Sequence, residues 1–309
     1  MNVPSSSEPI APWMHPHPGT GPIEVWPVAN RVGESPAWHA GEQALYWIDV
    51  RGQQLLRLDP TRQLLKRWQL PQVVGALALW DGGTVRLALA QHIVDLDLRT
   101  GACSMVCSLE QHEPEGNRLN DGKRSPSGRW FVVGSMDDQP DKQASGSLYC
   151  VSGSGGVRRL QSGLVVANGI AWSPDARTLH FSDSFRGKVW HAAWNEIDGT
   201  MGEPRPFADL GEAEGRPDGA QVDPAGRYWS AGVSAGAINI LSPSGARQGT
   251  IALPCRAPTM CAFGKAHDLW VTSLVRPGWA RTEHDGALLR LQRPRLGETP
   301  RAPPERGPA

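Results

Sequence analysis

Six segments of the chain repeat one pattern of apolar and polar positions. Each begins with a small or polar residue, continues as a short apolar run, passes through a turn such as SPSG, SPDA or DPAG, and ends in a run rich in aromatic and β-branched residues. Two such runs joined by a turn are typical of a β-hairpin. The segments begin at residues 33, 75, 120, 168, 218 and 259, which are 41 to 50 residues apart. The pattern therefore predicts six regularly spaced hairpins.

Further strand-like runs follow the hairpins, including QLLRLDP, HIVDLDL, GSLYCV, KVWHAAW and AINILSP, so each unit has enough residues for three or four strands. This repeat length is that of β-propeller blades. Because a blade cannot bury both faces alone, the blades must pack around an axis until the ring closes. The sequence predicts an all-β fold, a six-bladed β-propeller over residues 23–293. We expect IEVWPVA near its start to pair with ALLRLQR near its end.

The two ends of the chain lack this periodicity. Residues 1–22 are rich in Pro, Ser and His, and we expect a flexible leader in which the HPH motif at residues 15–17 is solvated. Residues 294–309 are rich in Pro and Arg and are expected to be disordered.

Aligning the six segments places mainly polar residues at one register position. The innermost strand of each propeller blade lines the axis, so residues at the same register meet at one end of it. The residues at this position are Glu34, Gly75, Asn120, Asn168, Asp218 and Thr259. Five of the six are polar, which predicts a polar site on the axis.

Carboxylates that meet at such a site repel each other, and burying them is costly unless a cation or hydrogen bonds compensate. The oxygen donors predict one divalent ion, and Ca²⁺, Zn²⁺, Mg²⁺ and Mn²⁺ all remain open. The alternative is that Asn120, Asn168 and Asp218 are only turn residues, since NG and DG dipeptides favour turns. Glu34 is not a turn former, and its shared register favours the metal site.

Composition narrows the class of protein. The 309 residues include 35 Gly, 27 Pro and 13 Trp, which suits many short strands joined by turns. The 31 basic and 31 acidic residues cancel, so we expect a small ligand and neither nucleic acid nor a membrane as partner. The five cysteines show no CxxC spacing and are expected to be reduced. With no signal-peptide pattern, a cytoplasmic location is expected.

Four motifs carry a family resemblance: RVGESPAW, NRLNDGK, NGIAWSPDARTLHFSDS and RPDGAQVDPAGRYW. Together they resemble the senescence-marker-protein, regucalcin and gluconolactonase family of six-bladed propellers, from about residue 24 to 292. The resemblance implies that Glu34, Asn168 and Asp218 hold the metal. These three residues also occupy the shared register position.

The resemblance also implies that Arg118 and Asn120 bind the sugar. An acidic residue after the GSM motif is expected to contact substrate, and Asp137 is placed there, with Asp138 and Gln139 beside it. For Asp121 we favour a hydrogen bond to its own turn over a ligand contact. The loop of residues 137–146 is a candidate lid.

These expectations combine into a metal-dependent sugar lactonase that opens an aldonolactone to its aldonic acid, with Asp218 as both metal ligand and general base. Two alternatives stay open: a propeller that hydrolyses aryl esters or phosphotriesters at an axial calcium, and a calcium-binding or partner-binding propeller without turnover.

Overall fold

The structure is a computed structural model that describes residues 2–18 and 20–293. Apart from a single 3₁₀ turn at Asp81–Gly83, the regular elements of these residues are β-strands. The strands are β1 (Ser5–Pro9), β2 (Trp13–His15), β3 (Ile23–Trp26), β4 (Gly33–His39), β5 (Ala44–Asp49), β6 (Gln54–Asp59), β7 (Leu64–Gln69), β8 (Val74–Leu79), β9 (Thr84–Leu89), β10 (His92–Asp97), β11 (Cys103–Ser108), β12 (Asn117–Arg124), β13 (Trp130–Asp137), β14 (Gly146–Ser152), β15 (Val157–Leu164), β16 (Ala167–Trp172), β17 (Thr178–Asp183), β18 (Lys188–Asn195), β19 (Thr200–Met201), β20 (Arg205–Asp209), β21 (Pro217–Val222), β22 (Tyr228–Gly232), β23 (Ala237–Leu241), β24 (Arg247–Ala252), β25 (Pro258–Phe263), β26 (Asp268–Ser273) and β27 (Leu288–Gln292).

These strands form six antiparallel sheets, which we number as blades 1 to 6. From inside to outside, blade 1 is β4, β5, β6, β7, β1; blade 2 is β8 to β11; and blade 3 is β12 to β15. Blade 4 is β16, β17, β18 with β19 and β20 on its edge; blade 5 is β21 to β24; and blade 6 is β25, β26, β27, β3, β2. The innermost strands contact one another in order, and β25 returns to β4. The predicted six-bladed propeller is confirmed.

The ring closes between the start and the end of the propeller. Strand β3 pairs with β27, with Trp26 opposite Leu288. This is the pairing expected for IEVWPVA and ALLRLQR. Blade 6 therefore joins residues more than 260 positions apart, and Trp26 packs against Trp47 of blade 1 and Trp270 of blade 6 in one buried cluster.

The amino-terminal segment differs from the expected flexible leader. Strand β1 pairs with the outer strand β7 of blade 1, and β2 pairs with β3 of blade 6. All side chains of β1 are exposed, so this pairing rests on backbone hydrogen bonds that cover an open sheet edge. Such a strand needs no apolar alternation, which is why the sequence pattern did not show it. Residues 294–309, expected to be disordered, lie outside the described residues.

The cysteines behave as the composition suggested: all five are free, and Cys150, Cys255 and Cys261 are buried. Among the described residues, no helix has the length and apolarity that a membrane crossing needs.

Candidate functional site

A β-bulge interrupts the innermost strand of every blade at the shared register position. The pairing register of each of these strands shifts at Glu34, Gly75, Asn120, Asn168, Asp218 and Thr259 or directly around them. A bulge leaves a residue out of the ladder and changes the direction of its side chain. The bulges therefore turn this ring of residues out of the sheets and towards the axis.

Two residues beside the bulges show how tightly this backbone is constrained. Ser35 adopts a left-handed conformation with φ of 50° and donates its backbone N–H to Glu34 Oε2 at 3.1 Å. Gly169 has φ of 66°, and a Cβ there would collide with Tyr228 Oη and Ser182 Oγ. The glycine of the NG motif thus serves a bulge and a close approach, rather than a simple turn.

Three carboxyl groups crowd together at this end of the axis. Burial, followed by repulsion from Asp218 and Asp121, raises the pKa of Glu34 well above its ordinary range. Burial and then Asp121 raise the pKa of Asp218 from 3.8 to about 8, against the opposing effects of the Gly219 N–H and a hydrogen bond with Glu34. Arg118 lowers the pKa of both groups, but it is the weakest of the contributions, so positive charge in the site compensates the carboxylates only in part.

Asp121 is the member of this cluster for which the sequence favoured a hydrogen bond to its own turn. Its Oδ2 accepts a hydrogen bond from the Ile170 N–H of blade 4 at 3.0 Å, so its contact reaches the next blade as well as its own turn. Its Oδ1 is buried and has no hydrogen-bond partner among the described residues. Burial raises the pKa of Asp121, while Lys123 acts in the opposite direction. The sequence feature that could have indicated its place in this cluster is its position directly after Asn120. Both residues lie inside the bulge of β12.

A chain of hydrogen bonds links the amide side chains to the carboxylates. Arg118 Nη1 donates to Asn120 Oδ1 at 2.8 Å, and Asn120 Nδ2 donates to Asn168 Oδ1 at 2.9 Å. Asn168 Nδ2 donates to Ser184 Oγ at 2.7 Å, and that hydroxyl donates to the carbonyl of Pro217, next to Asp218. This order of donors fixes both amides, so Asn168 presents its carbonyl oxygen to Asn120 and keeps one lone pair for a ligand.

The two acids that follow the GSM motif have different contacts, and the substrate contact expected of Asp137 stays a prediction. Both carboxylate oxygens of Asp137 accept loop amides, from Gln139 at 2.9 Å and Gln143 at 3.0 Å, so they hold the proposed lid loop together. Asp138 instead contacts the site, because its Oδ1 accepts from Arg118 Nε at 2.9 Å. Neighbouring residues at a strand end point in opposite directions, and a motif alignment cannot resolve that shift.

The remaining register positions offer no free polar group. Gly75 has no side chain, and a Cβ there would overlap the backbone of Leu119 and Asn120. Thr259 donates its hydroxyl to the Gly33 carbonyl, and Thr272 Oγ1 lies 2.9 Å away. Farther along the inner strands, a cavity of about 180 Å³ lies between blades 1, 2, 3 and 6. Lys123 lines it and donates to the Ala220 carbonyl of blade 5 at 2.6 Å.

The donor set fits a hard divalent ion. Within residues 2–18 and 20–293, no group of three His, Cys, Asp or Glu side chains is arranged to hold a metal by itself. Glu34 and Asp218 would supply two carboxylates to such an ion, and the carbonyl oxygen of Asn168 would supply a third, neutral donor. Oxygen ligands of this kind suit Ca²⁺, Mg²⁺ or Mn²⁺. The orphaned Oδ1 of Asp121 adds unbalanced negative charge beside them.

Comparison with known proteins shows the family to which the chain belongs. The family model described as SMP-30/Gluconolactonase/LRE-like region matches residues 32–275. The chain is 32% identical to an L-arabinolactonase of Azospirillum brasilense, over 83% of this chain and 85% of that protein. It is 35% identical to a 6-deoxy-6-sulfogluconolactonase of Pseudomonas putida, over 78% and 83% respectively. A calcium-binding regucalcin of Agrobacterium tumefaciens superposes with a TM-score of 0.80 at 25% identity, over 85% and 90% of the two chains.

Proposed function

The chain belongs to the SMP-30/gluconolactonase/LRE-like family, and from this premise we propose that it is a lactonase that hydrolyses a sugar lactone with the help of a divalent cation. The observation that carries the proposal is the crowding of Glu34, Asp121 and Asp218 on bulged inner strands. Buried carboxylates without partners are costly to the fold, so their presence at the axis favours a bound cation and a functional role.

Glu34, Asn168 and Asp218 are the residues we assign to the ion. When bound, a divalent ion there supplies Lewis-acid polarisation of the lactone carbonyl. Three oxygen donors leave room in the coordination sphere for ligands from solvent or substrate.

Residues of the protein itself carry out proton transfer and bind the sugar. Asp218, as its carboxylate, accepts a proton from the water that attacks the lactone carbonyl carbon. The ring C–O bond then breaks, and the proton is returned to the leaving alkoxide, which gives the hydroxy acid. Arg118 donates to a hydroxyl group of the sugar ring. Both N–H groups of the Asn120 amide are taken by the Ala167 carbonyl and Asn168 Oδ1, so Asn120 accepts from a sugar hydroxyl with the remaining lone pair of its Oδ1. A site that pairs hydroxyls discriminates strongly, because an analogue without them leaves buried polar groups unsatisfied.

The relatives support a small sugar lactone as substrate. The two bacterial relatives are named for lactones of arabinose and of a sulfonated glucose derivative. The polar ring of Arg118, Asn120 and Asn168 is suited to a hydroxylated ligand of that size. An aldonolactone of five or six carbons is therefore the substrate class we propose.

A lactone panel on metal-stripped protein tests the proposal. Gluconolactone, a pentonolactone, a long-chain homoserine lactone and an aryl phosphotriester would be supplied with Ca²⁺, Mg²⁺, Mn²⁺ or Zn²⁺ added singly. We expect turnover of the sugar lactones only after an ion is restored, and loss of both ion affinity and turnover in Glu34→Gln. Glu203→Gln makes the same chemical change at an exposed position of blade 4 and is expected to behave as wild type.

Three results would overturn the proposal. An ion-loaded protein that turns over none of the lactones would be a cation-binding propeller without this activity. Preference for the phosphotriester or the homoserine lactone would point to the other hydrolase class. Full turnover by Glu34→Gln would show that the ion site lies elsewhere.

A further inference from the structure

Arg118 is held by a bridge that reaches across the ring from blade 1. Arg51 lies in the turn between β5 and β6, and Asp138 lies in the loop between β13 and β14 of blade 3. Arg51 donates Nη1 and Nη2 to the two carboxylate oxygens of Asp138, at 2.9 and 2.6 Å. The Oδ1 of Asp138 also accepts from Arg118 Nε at 2.9 Å. One carboxylate thus joins two guanidinium groups from different blades.

The bridge passes blade 2, which lies between blades 1 and 3 and contributes least to the site. The register position of blade 2 is Gly75, and its β9–β10 turn consists only of Ala90 and Gln91. The Gln91 amide donates to the carbonyls of Pro114 and Asn117 in blade 3, so it is tied to that backbone. The Arg51 and Asp138 side chains take its place at the site.

The contacts of Arg118 leave one nitrogen for a ligand. Nε is taken by Asp138, and Nη1 donates to the Leu119 carbonyl at 2.9 Å and to Asn120 Oδ1 at 2.8 Å. Nη2 has no hydrogen-bond partner within residues 2–18 and 20–293. Because a guanidinium group is planar, fixing Nε and Nη1 fixes the direction of Nη2. The orientation of the free donor thus depends on Asp138.

Asp138 in turn depends on Arg51. The Arg118 side chain is 11% exposed, whereas that of Arg51 is 45% exposed and that of Asp138 is 23% exposed. A carboxylate at the end of a loop is free to rotate unless a second partner holds it. The two parallel hydrogen bonds from Arg51 supply that restraint.

We infer that Arg51 is a positioning residue for substrate binding, which acts through Asp138 to aim the free Nη2 of Arg118 at a ring hydroxyl of the sugar. The inference rests on the proposed function for the identity of the ligand. It adds to that proposal a residue from blade 1 that neither contacts the axial carboxylates nor belongs to the shared register position. Because an exposed ion pair contributes little to folding, Arg51 can be changed without unfolding the protein.

A double-mutant cycle of Arg51 and Asp138, with KM as the measured quantity, tests this chain of contacts. Arg51→Gln is expected to raise KM for the best sugar lactone about five-fold while kcat changes less than about two-fold, the effect of loosening one binding hydrogen bond. Asp138→Asn is expected to raise KM by at least as much. In the Asp138→Asn background, Arg51→Gln should add less than about two-fold, since coupled residues are not additive. Arg51→Lys, which retains one donor contact, should recover part of the loss.

Arg62→Gln is the matched control, because Arg62 is an exposed, ion-paired arginine at the other end of blade 1. It is expected to leave KM and kcat unchanged. The inference is wrong if Arg51→Gln leaves KM unchanged. It is also wrong if its effect on KM is the same with and without Asp138→Asn, which would mean that Arg51 acts on the substrate independently of Asp138.

A measurement without turnover separates this inference from the proposed function. The Nε–H of Arg118 should exchange slowly with water in the wild type and faster in both Arg51→Gln and Asp138→Asn, as observed by NMR. If the wild type hydrolyses no lactone, the proposed function fails, yet this exchange rate still decides whether Arg51 positions Arg118. Unchanged exchange in Arg51→Gln would overturn the inference even in an active lactonase.

Discussion

Two sets of acidic side chains differ in what surrounds the charge, and we refer to the two settings as regions of the propeller. In the first region, the acids lie at or directly after the ends of strands and are surrounded by hydrogen-bond donors. We call these the turn carboxylates: Asp49, Asp183 and Asp223. In the second region, the acids lie at the end of the axis and are surrounded by one another. We call these the axial carboxylates: Glu34, Asp121 and Asp218.

Asp223 shows how completely a turn carboxylate is satisfied. Its Oδ1 accepts the backbone amides of Ala225 and Arg227 at 2.9 and 3.0 Å, and its Oδ2 accepts Arg227 Nε at 2.7 Å and Trp229 Nε1 at 2.9 Å. Every donor comes from the same blade. Such a group stabilises the local fold and has no capacity left for a ligand.

The axial carboxylates have few donors and several like charges. Glu34 accepts the Ser35 amide, Asp121 has an oxygen with no described partner, and Asp218 has the Gly219 amide. The turn carboxylates are at most 4% exposed, whereas Asp218 is 8% exposed and Glu34 is half-buried, so depth of burial does not identify the functional acids. The two regions differ in unsatisfied hydrogen-bonding capacity and in repulsion between like charges. Both are typical of a site where a bound ligand supplies the missing positive charge.

Among the substitutions that test this comparison, Asp218→Asn is expected to have the largest effect, a loss of kcat/KM. Asparagine has the same shape but cannot accept a proton as a base, so kcat/KM for the sugar lactone should fall by about 10²–10⁴-fold. The metal-free variant should be at least as stable as the wild type, because the repulsion with Glu34 and Asp121 is removed. Steady-state kinetics and thermal melting in a chelator measure the two effects. Turnover within ten-fold of the wild type would exclude Asp218 as the base.

The second prediction concerns Asp223, one of the turn carboxylates. Asp223→Ala leaves two amides, an indole N–H and a guanidinium without their acceptor, so the free energy of unfolding should fall by about 2–4 kcal/mol. The kcat/KM of the folded fraction should stay within about two-fold of the wild type, because the turn lies at the end of β21 away from the axial carboxylates.

Asp175→Ala is the control for that variant. Asp175 lies in the corresponding turn of blade 4 but is exposed, and its hydrogen bonds compete with water. Denaturant unfolding should show a smaller loss for Asp175→Ala than for Asp223→Ala. A loss of activity in Asp223→Ala without a loss of stability would remove the distinction between the two regions.

The sequence predicts the positions of most axial residues but not the bulges that hold them. Hairpins recur at a regular spacing, so both the blade number and the register position of Glu34, Asn120, Asn168 and Asp218 follow from the pattern. The bulges do not follow from it, because a register shift depends on pairing between strands that single runs of residues do not show. The contact of Asp121 with Ile170 in the next blade could not be predicted for that reason.

Two further differences have physical causes of the same kind. The edge strand β1 pairs through its backbone, so its polar side chains carry no periodic signal. The choice between Asp137 and Asp138 depends on which way a side chain leaves the end of β13, and a difference of one residue reverses that direction. Contacts between blades, such as that of Arg51 with Asp138, connect residues 87 positions apart and require the closed ring.

The smallest expected effect is a pH dependence of stability that belongs only to the axial region. The pKa of Asp218 is raised from 3.8 to about 8, and that of Glu34 is also raised, both first by burial. Between about pH 5 and 8 the folded, metal-free protein therefore binds more protons than the unfolded chain. Stability must fall as the pH rises through this window, and we expect the melting temperature in a chelator to drop by roughly 5 °C.

Two variants and one ion test whether the axial carboxylates cause this fall of the melting temperature with pH. Asp218→Asn should lose most of the decrease in melting temperature, whereas Asp223→Ala should melt lower at every pH and keep the same slope. A saturating divalent ion should abolish the decrease, because a cation replaces the shared proton and binds more tightly as the carboxyl groups ionise. Melting curves at several pH values, with chelator or with Ca²⁺, measure all three. If the slope is unchanged in Asp218→Asn, the axial carboxylates are not the groups that hold the proton, and the contrast between the two regions loses its electrostatic basis.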